Sequence, residues 1–291
     1  MKRIIISLIL VANAAVYAQT PPAPPPPPTC TRAELVAGVE SYLAAQQAGD
    51  VSKLALADDA KYFENMIATE KNKGMWNTAL PVAYSRSIYD SARCRTFSEV
   101  IVTEGDHQYV IGTRLAMNAG KVTEINSLVT DQGDWLFNAN AYLKYSSMEK
   151  WEKPTAANHT SAQTLVDAAN RYLDVFADKQ IDMPWGTPCA RLEGGAYTNR
   201  DMKADASCNI GIPPGTLYIV NRSFVVDEEQ GVVNVYCRFG NSTNGMPDSH
   251  TFHMLDGKFH HVHTLSVNLT DNPSPQADDN GAIIRNTPPA Q

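Results

Sequence analysis

The chain has 291 residues, which at about 100–200 residues per domain makes room for one large domain or two modest ones. With 43% apolar and 19% charged residues it has enough apolar side chain for a packed core, so disordered and fibrous classes are excluded. Its 24 basic and 31 acidic residues give a formal charge of −7, the wrong sign for a nucleic-acid binder.

At the N-terminus, Lys2 and Arg3 precede an apolar run over 4–16 that is too short to span a bilayer, and Val16-Tyr17-Ala18 offers the small residues a signal peptidase reads. Residues 1–18 are therefore read as a signal peptide, and the mature chain as secreted or held in the secretory-pathway lumen. Its removal takes Lys2 and Arg3 away and the charge from −7 to −9. The rest of the sequence contains no segment long and apolar enough to cross a membrane. Residues 19–29 form a proline-rich linker of extended polyproline II type.

Next comes a helix, with Leu35, Val39, Tyr42 and Leu43 on one face and Thr31 and Glu34 placed as a capping box. The same face recurs 130 residues later as Leu165, Ala169, Tyr172 and Leu173, with Ser161 at the N-cap position. Farther on, 117–130 matches 254–267 at an offset of 137, each with a Gly-Lys hairpin turn (Gly120-Lys121, Gly257-Lys258), and Asp90 falls on Asp227. The order is helix, strands and long terminal hairpin, twice over. That order predicts an α+β fold with antiparallel sheets: a first domain over 30–152 and a second over 160–271. The tail 272–291, with four prolines and little apolar pattern, reads as disordered.

Of the five cysteines, Cys30 with Cys94 and Cys189 with Cys208 would put one bridge within each half, leaving Cys237 as a buried thiol; other pairings stay open. Glycosylation sequons lie at Asn158, Asn241 and Asn268, and a fourth at Asn221 begins a strand-like run.

Tyr42 and Asp50 read Y-x7-D across the end of the first helix, and Ala57-Asp58-Asp59-Ala60 leads to an acid at Glu64. These residues resemble the cone-shaped superfamily of nuclear transport factor 2, ketosteroid isomerase and SnoaL-like polyketide cyclases, and the resemblance covers both halves. The whole chain is similar to a largely uncharacterised family of secreted fungal proteins with two such halves. Tyr62-Phe63-Glu64-Asn65, the stretch Gly133-Asp134-Trp135-Leu136-Phe137-Asn138 and the stretch Cys189-Ala190-Arg191-Leu192-Glu193-Gly194-Gly195 carry that similarity.

In the isomerases a helix tyrosine and a protonated acid hold the developing oxyanion while a carboxylate moves the proton. The resemblance puts the tyrosine at Tyr42 and Tyr172, the base at Glu64 and Glu193, and the second acid at Asp248, with Phe252 four residues on. In the first half the second-acid position is Ile111, which cannot donate. Three departures put the specific reaction in question: the base is glutamate rather than aspartate, the Asp248 match needs a one-residue shift, and 177–180 lacks the A-D-D-A run. The bland readings are core packing for the tyrosines and a salt bridge for the glutamates, with Arg191 a candidate partner for Glu193.

His253, His261 and His263 are candidate metal ligands on one hairpin, with satisfied histidines as the alternative. Trp135 and Trp185 either line a pocket or plug it. The resemblance implies a cofactor-free isomerase, cyclase or dehydratase moving a proton on a small carbonyl-rich metabolite, of polyketide or maleic-anhydride type. Dimerising cyclisation is among the reactions it implies. The alternative is a non-catalytic secreted binding or interaction protein, its halves or two copies packed through their sheets.

Overall fold

The computed structural model describes residues 30–208, 212–240 and 244–284; residues 1–18 and 19–29, read above as signal peptide and linker, and the Asn241 sequon lie outside them. Thr31 caps α1 (Arg32–Ala48) and completes the capping box with Glu34. Leu35, Val39 and Tyr42 turn inward from it, and Ser161 caps α3 (Ala162–Asp174), whose Leu165, Ala169, Tyr172 and Leu173 are buried.

The first half continues as β1 (Leu56–Glu64), β2 (Ile67–Ala68), β3 (Tyr84–Asp90), β4 (Arg95–Val102), β5 (Tyr109–Asn118) and β6 (Lys121–Thr130). The second repeats this as β7 (Trp185–Glu193), β8 (Ala196–Tyr197), β9 (Ile219–Asp227), β10 (Val232–Phe239), β11 (Met246–Leu255) and β12 (Lys258–Ser266). The sheet orders are β2-β1-β6-β5-β4-β3 and β8-β7-β12-β11-β10-β9, the same topology twice. Each sheet is antiparallel except where β1 lies parallel to β6 and β7 to β12, pairings made by strands far apart in sequence. Even the irregularities repeat. The terminal hairpins are bulged after Ala116 and after His253, 137 positions apart.

Each sheet wraps its own helix: Val100, Ile111 and Leu115 pack on the α1 face, and Val235, Phe252 and Phe259 on the α3 face. Fully burying one such side chain contributes about 1.5–3 kcal/mol. The molecule is thus α+β, a tandem duplication of a helix wrapped by a six-stranded sheet. Disulfides Cys30–Cys94 and Cys189–Cys208 staple one half each, and Cys237 is a buried free thiol.

The two sheets pack outer face to outer face. Ile88, Phe97 and Leu128 meet Val225, Val232 and Tyr236, and the buried Arg114 donates to Asn234 and Ser223 of the other half. Between the halves stands α2 (Ala139–Met148), which the periodicity did not mark. Its Tyr142 and Tyr145 pack against Ile101 and Val110 on one side and Leu192 and Tyr197 on the other.

The described part of the tail, 272–284, departs from expectation, while 285–291 lie outside the described residues. Residues 272–284 are ordered, with a short hairpin of β13 (Gln276–Ala277) and β14 (Ile283–Ile284). Its order comes from backbone pairing that composition does not show: Leu136 N–H donates to Pro275 O at 2.7 Å and Tyr197 N–H to Gly281 O at 2.9 Å. Ala277 is buried beneath it.

Candidate functional site

In the first half the candidate residues are hydrogen-bonded. Tyr42 is fully buried, and its hydroxyl donates to Thr113 Oγ1 at 2.8 Å, which in turn lies 2.9 Å from Ser127 Oγ. Burial pushes the Tyr42 phenol up to about 12 despite that bond, so it remains a neutral donor. Glu64 accepts from the Tyr62 hydroxyl and, at 2.7 Å, from Met75 N–H. Tyr62 rests against the buried Trp76, ring centres 6.0 Å apart. None of the cavities described among these residues is lined by both Tyr42 and Glu64.

The second half is open. A cavity of about 270 Å3 is lined by Trp135, Phe176, Arg191, Glu193, Phe239 and His250, among others. A second of about 270 Å3, lined by Tyr172 and Trp185, shares Phe176 and Arg191 with it. Both tryptophans therefore line cavities. Arg191 and Glu193 project from one face of β7 as an ion pair, as alternation allows. The Arg191 guanidinium carbon stands 5.5 Å from the centre of the Tyr172 ring. Burial raises the Tyr172 phenol, and the nearby Arg191 only partly offsets it. Asp248 is fully buried and does not reach the cavity. Its Oδ1 accepts from Ser266 Oγ at 2.7 Å, and its Oδ2 lies 3.1 Å from His250 Nδ1 and 3.7 Å from Cys237 Sγ.

The duplication supplies an internal comparison. By sheet register, Asp248, His250, Cys237 and Ser266 occupy the positions of Ile111, Thr113, Val100 and Val129. One copy holds an apolar trio and a threonine where the other holds a connected polar group beside open space. Likewise Arg191–Glu193 stands where the first copy has Tyr62–Glu64. His250 was the residue missed in the sequence. The signal was there: two positions after Asp248 on a strand, it must share its face.

The other histidines belong to a different place. His253, His261 and His263 face the first half, with Trp151 stacked on His253 and His261. His263 is buried between Glu99 at 2.8 Å and Glu149 at 2.6 Å. Burial alone would lower its pKa, but the two carboxylates outweigh it and hold it at about 9. His261 Nδ1 lies 3.3 Å from Glu149, and His253 Nε2 2.9 Å from Glu152 O. Burial lowers His253 to about 3. These three are ion-paired or hydrogen-bonded. Among the described residues, the one group of His, Cys, Asp or Glu whose ligand atoms lie within 4.8 Å of one another is Cys237, Asp248 and His250.

Of the sequons, Asn158 is half-buried and accepts from Thr155, while the Asn268 amide donates to Asn272 O at 2.6 Å. Asn221 is exposed at a bulge of β9, with φ at 57°.

The sequence matches a family model described as a domain of unknown function (DUF8021) over residues 158–266, the second half alone. No curated protein matches it. Solved structures similar to it include a nuclear-transport-factor-2-like protein of unknown function from Burkholderia xenovorans, 15% identical, covering 40% of this chain and 94% of that one, with a TM-score of 0.28. Another is a Kribbella flavida protein provisionally assigned as a ketosteroid isomerase (18% identical, 34% and 79% covered, TM-score 0.27). A third is a Streptomyces galilaeus protein provisionally assigned as a hydroxylase (16%, 35% and 81%, TM-score 0.27).

Proposed function

We propose that the second half is a small-molecule site that moves a proton beside a carbonyl, in a protein exported to an oxidising compartment, and that the first half serves as its scaffold. The observation that carries this reading is the Asp248–His250 pair at the cavity wall, where the first copy has Ile111 and Thr113. His250 is the proton carrier. Asp248 Oδ2 stands 3.1 Å behind the ring, where its charge would stabilise the imidazolium formed when the other nitrogen takes a proton. Arg191 faces the same space and would stabilise an enolate oxygen, with Glu193 holding its guanidinium in place. The apolar wall of Trp135, Phe176 and Phe239 suits a flat carbonyl-rich metabolite of the polyketide kind. The roles thus differ from the family pattern: Asp248 acts through His250 rather than on the ligand, and Glu193 acts through Arg191.

The two disulfides fit an oxidising compartment. None of the described helices is long and apolar enough to cross a membrane.

The test is hydrogen–deuterium exchange by NMR, in deuterated water, over a panel of cyclic enones and β-diketones. Wild type is expected to exchange the proton beside the carbonyl, and His250→Gln to lose that exchange by about 10²–10⁴-fold, the usual worth of a positioned acid–base group. Exchange unchanged in His250→Gln sinks the reading. A second reading, a binding protein without catalysis, is favoured by the Arg191–Glu193 ion pair; ligand binding without exchange in wild type would select it.

A further inference from the structure

We infer that Cys237, Asp248 and His250 form a zinc site at the base of the second half's cavity. Cys237 on β10 and Asp248 on β11 are directly opposed across the strand pair, and His250 follows on the same face. The three are 0%, 0% and 2% exposed, and one ligand atom from each lies within 4.8 Å of the others. Tetrahedral zinc, with bonds of about 2.3 Å to sulfur and about 2.0–2.2 Å to nitrogen and oxygen, sets ligands about 3.6 Å apart for sulfur–oxygen and about 3.4 Å for oxygen–nitrogen. Cys237 Sγ to Asp248 Oδ2 is 3.7 Å, and Asp248 Oδ2 to His250 Nδ1 is 3.1 Å. His250 Nδ1 makes no hydrogen bond of sound geometry although it is buried, which leaves it a lone pair or proton without a proper partner.

The surroundings fit a metal as well as the ligands do. Ser266 Oγ takes the second carboxylate oxygen, Oδ1, at 2.7 Å and so aims Oδ2 at the site, the part an outer-shell group plays around zinc. On binding, a Cys237 thiolate and the Asp248 carboxylate would bring two negative charges, matching a divalent cation. Thiolate and imidazole select zinc over magnesium or calcium. Three protein ligands leave the fourth position for water or a ligand oxygen, on the side where His250 lines the cavity. All three ligands are particular to this copy, since the first half has Val100, Ile111 and Thr113 in their places.

The inference rests on the proposed function for one point alone, that the cavity takes a small molecule at the open position. With zinc bound, His250 Nδ1 and Asp248 Oδ2 hold the metal, so the proton-carrying pair acts in the metal-free protein. The test uses the full chain, stripped with chelator and titrated with zinc and separately with cobalt. The expected result is one equivalent of zinc per chain and, with cobalt, a thiolate charge-transfer band in the near ultraviolet. Cys237→Val and His250→Thr, the residues the first copy carries, are expected to remove the band and weaken zinc at least a hundredfold, with circular dichroism checking that the fold is kept. The idea is overturned by substoichiometric zinc in wild type, by a missing cobalt band, or by a Cys237→Val protein that binds zinc as wild type does. Zinc retained in Cys237→Val and lost in His261→Ala would place the metal at the other histidines instead. Proton exchange by a stripped protein with no zinc affinity keeps the proton-transfer reading and sinks this one; zinc binding without exchange does the reverse.

Discussion

His263 shows how much a single side chain can hold at the junction of the halves. It comes from β12, while Glu99 comes from the first sheet and Glu149 from just beyond α2. Tyr142, Trp151 and Arg86 close the remaining sides, with Arg86 lying over the Trp151 ring and 3.5 Å from Glu149. Held at about 9 in the folded chain against about 6.5 unfolded, the imidazolium adds stability that is fully present below about pH 6.5 and is lost as pH rises through about 9. The size of the effect is of order 3 kcal/mol. Thermal midpoints measured from pH 6 to pH 10 should therefore fall across this window in wild type. The His263→Gln protein should be less stable at pH 6 and nearly flat over the same range. A wild-type curve as flat as the variant's would mean that His263 is neutral in the folded chain.

At the scale of elements, what could be read beforehand was whatever short-range periodicity controls. The helices declared themselves through Leu35/Tyr42 and Leu165/Tyr172, and the terminal hairpins through Gly-Lys turns. The parallel pairing of β1 with β6, the helix α2 and the ordered tail were hidden, because each depends on partners far along the chain. The histidines show the same limit. Alternation along β11 sends Asp248 and His250 to one face and His253 to the other. The sheet divides them between a cavity and an interface.

One turn tests how elements fit. Gly194, between β7 and β8, has φ at 59°, and an added Cβ would meet Trp135 O at 2.1 Å, which is backbone of the segment that closes the cavity. Gly120 has φ at 74° with nothing within 4 Å. Gly120→Ala should cost about 1 kcal/mol, the strain of a left-handed residue alone. Gly194→Ala should cost well beyond that and move Trp135 as well. Urea denaturation separates the two, and equal midpoint shifts would show that the Trp135 segment gives way freely.

Across the whole molecule, the duplicated halves meet as two copies of one surface do in a symmetric dimer. Asp90 and Asp227 are equivalent by the offset of 137, and each caps the other half's edge strand. Asp90 Oδ2 accepts from Val226 N–H at 3.0 Å, and Asp227 Oδ2 from Tyr89 N–H at 2.9 Å. Because Val226 is itself the counterpart of Tyr89, the exchange is reciprocal. The symmetry is then broken at its edges. Asp227 also takes both guanidinium nitrogens of Arg32 at 2.9 Å and Gln230 Nε2 at 2.7 Å, whereas Asp90 adds only Arg93, whose side chain is half exposed. Removing either acid leaves a strand-edge N–H without its acceptor, worth about 1–3 kcal/mol when buried. Asp227→Ala additionally leaves Arg32 with only Glu229 at 3.4 Å and the Tyr89 ring, so the start of α1 loses its bidentate tie to β9. It should therefore destabilise more than Asp90→Ala, and by more than an exposed ion pair of about 0.2–1 kcal/mol could explain. Urea midpoints for both variants decide it. Equal losses would mean that the reciprocal pair of caps, not the Arg32 clamp, holds the halves together, and a larger loss for Asp90→Ala would refute the asymmetry.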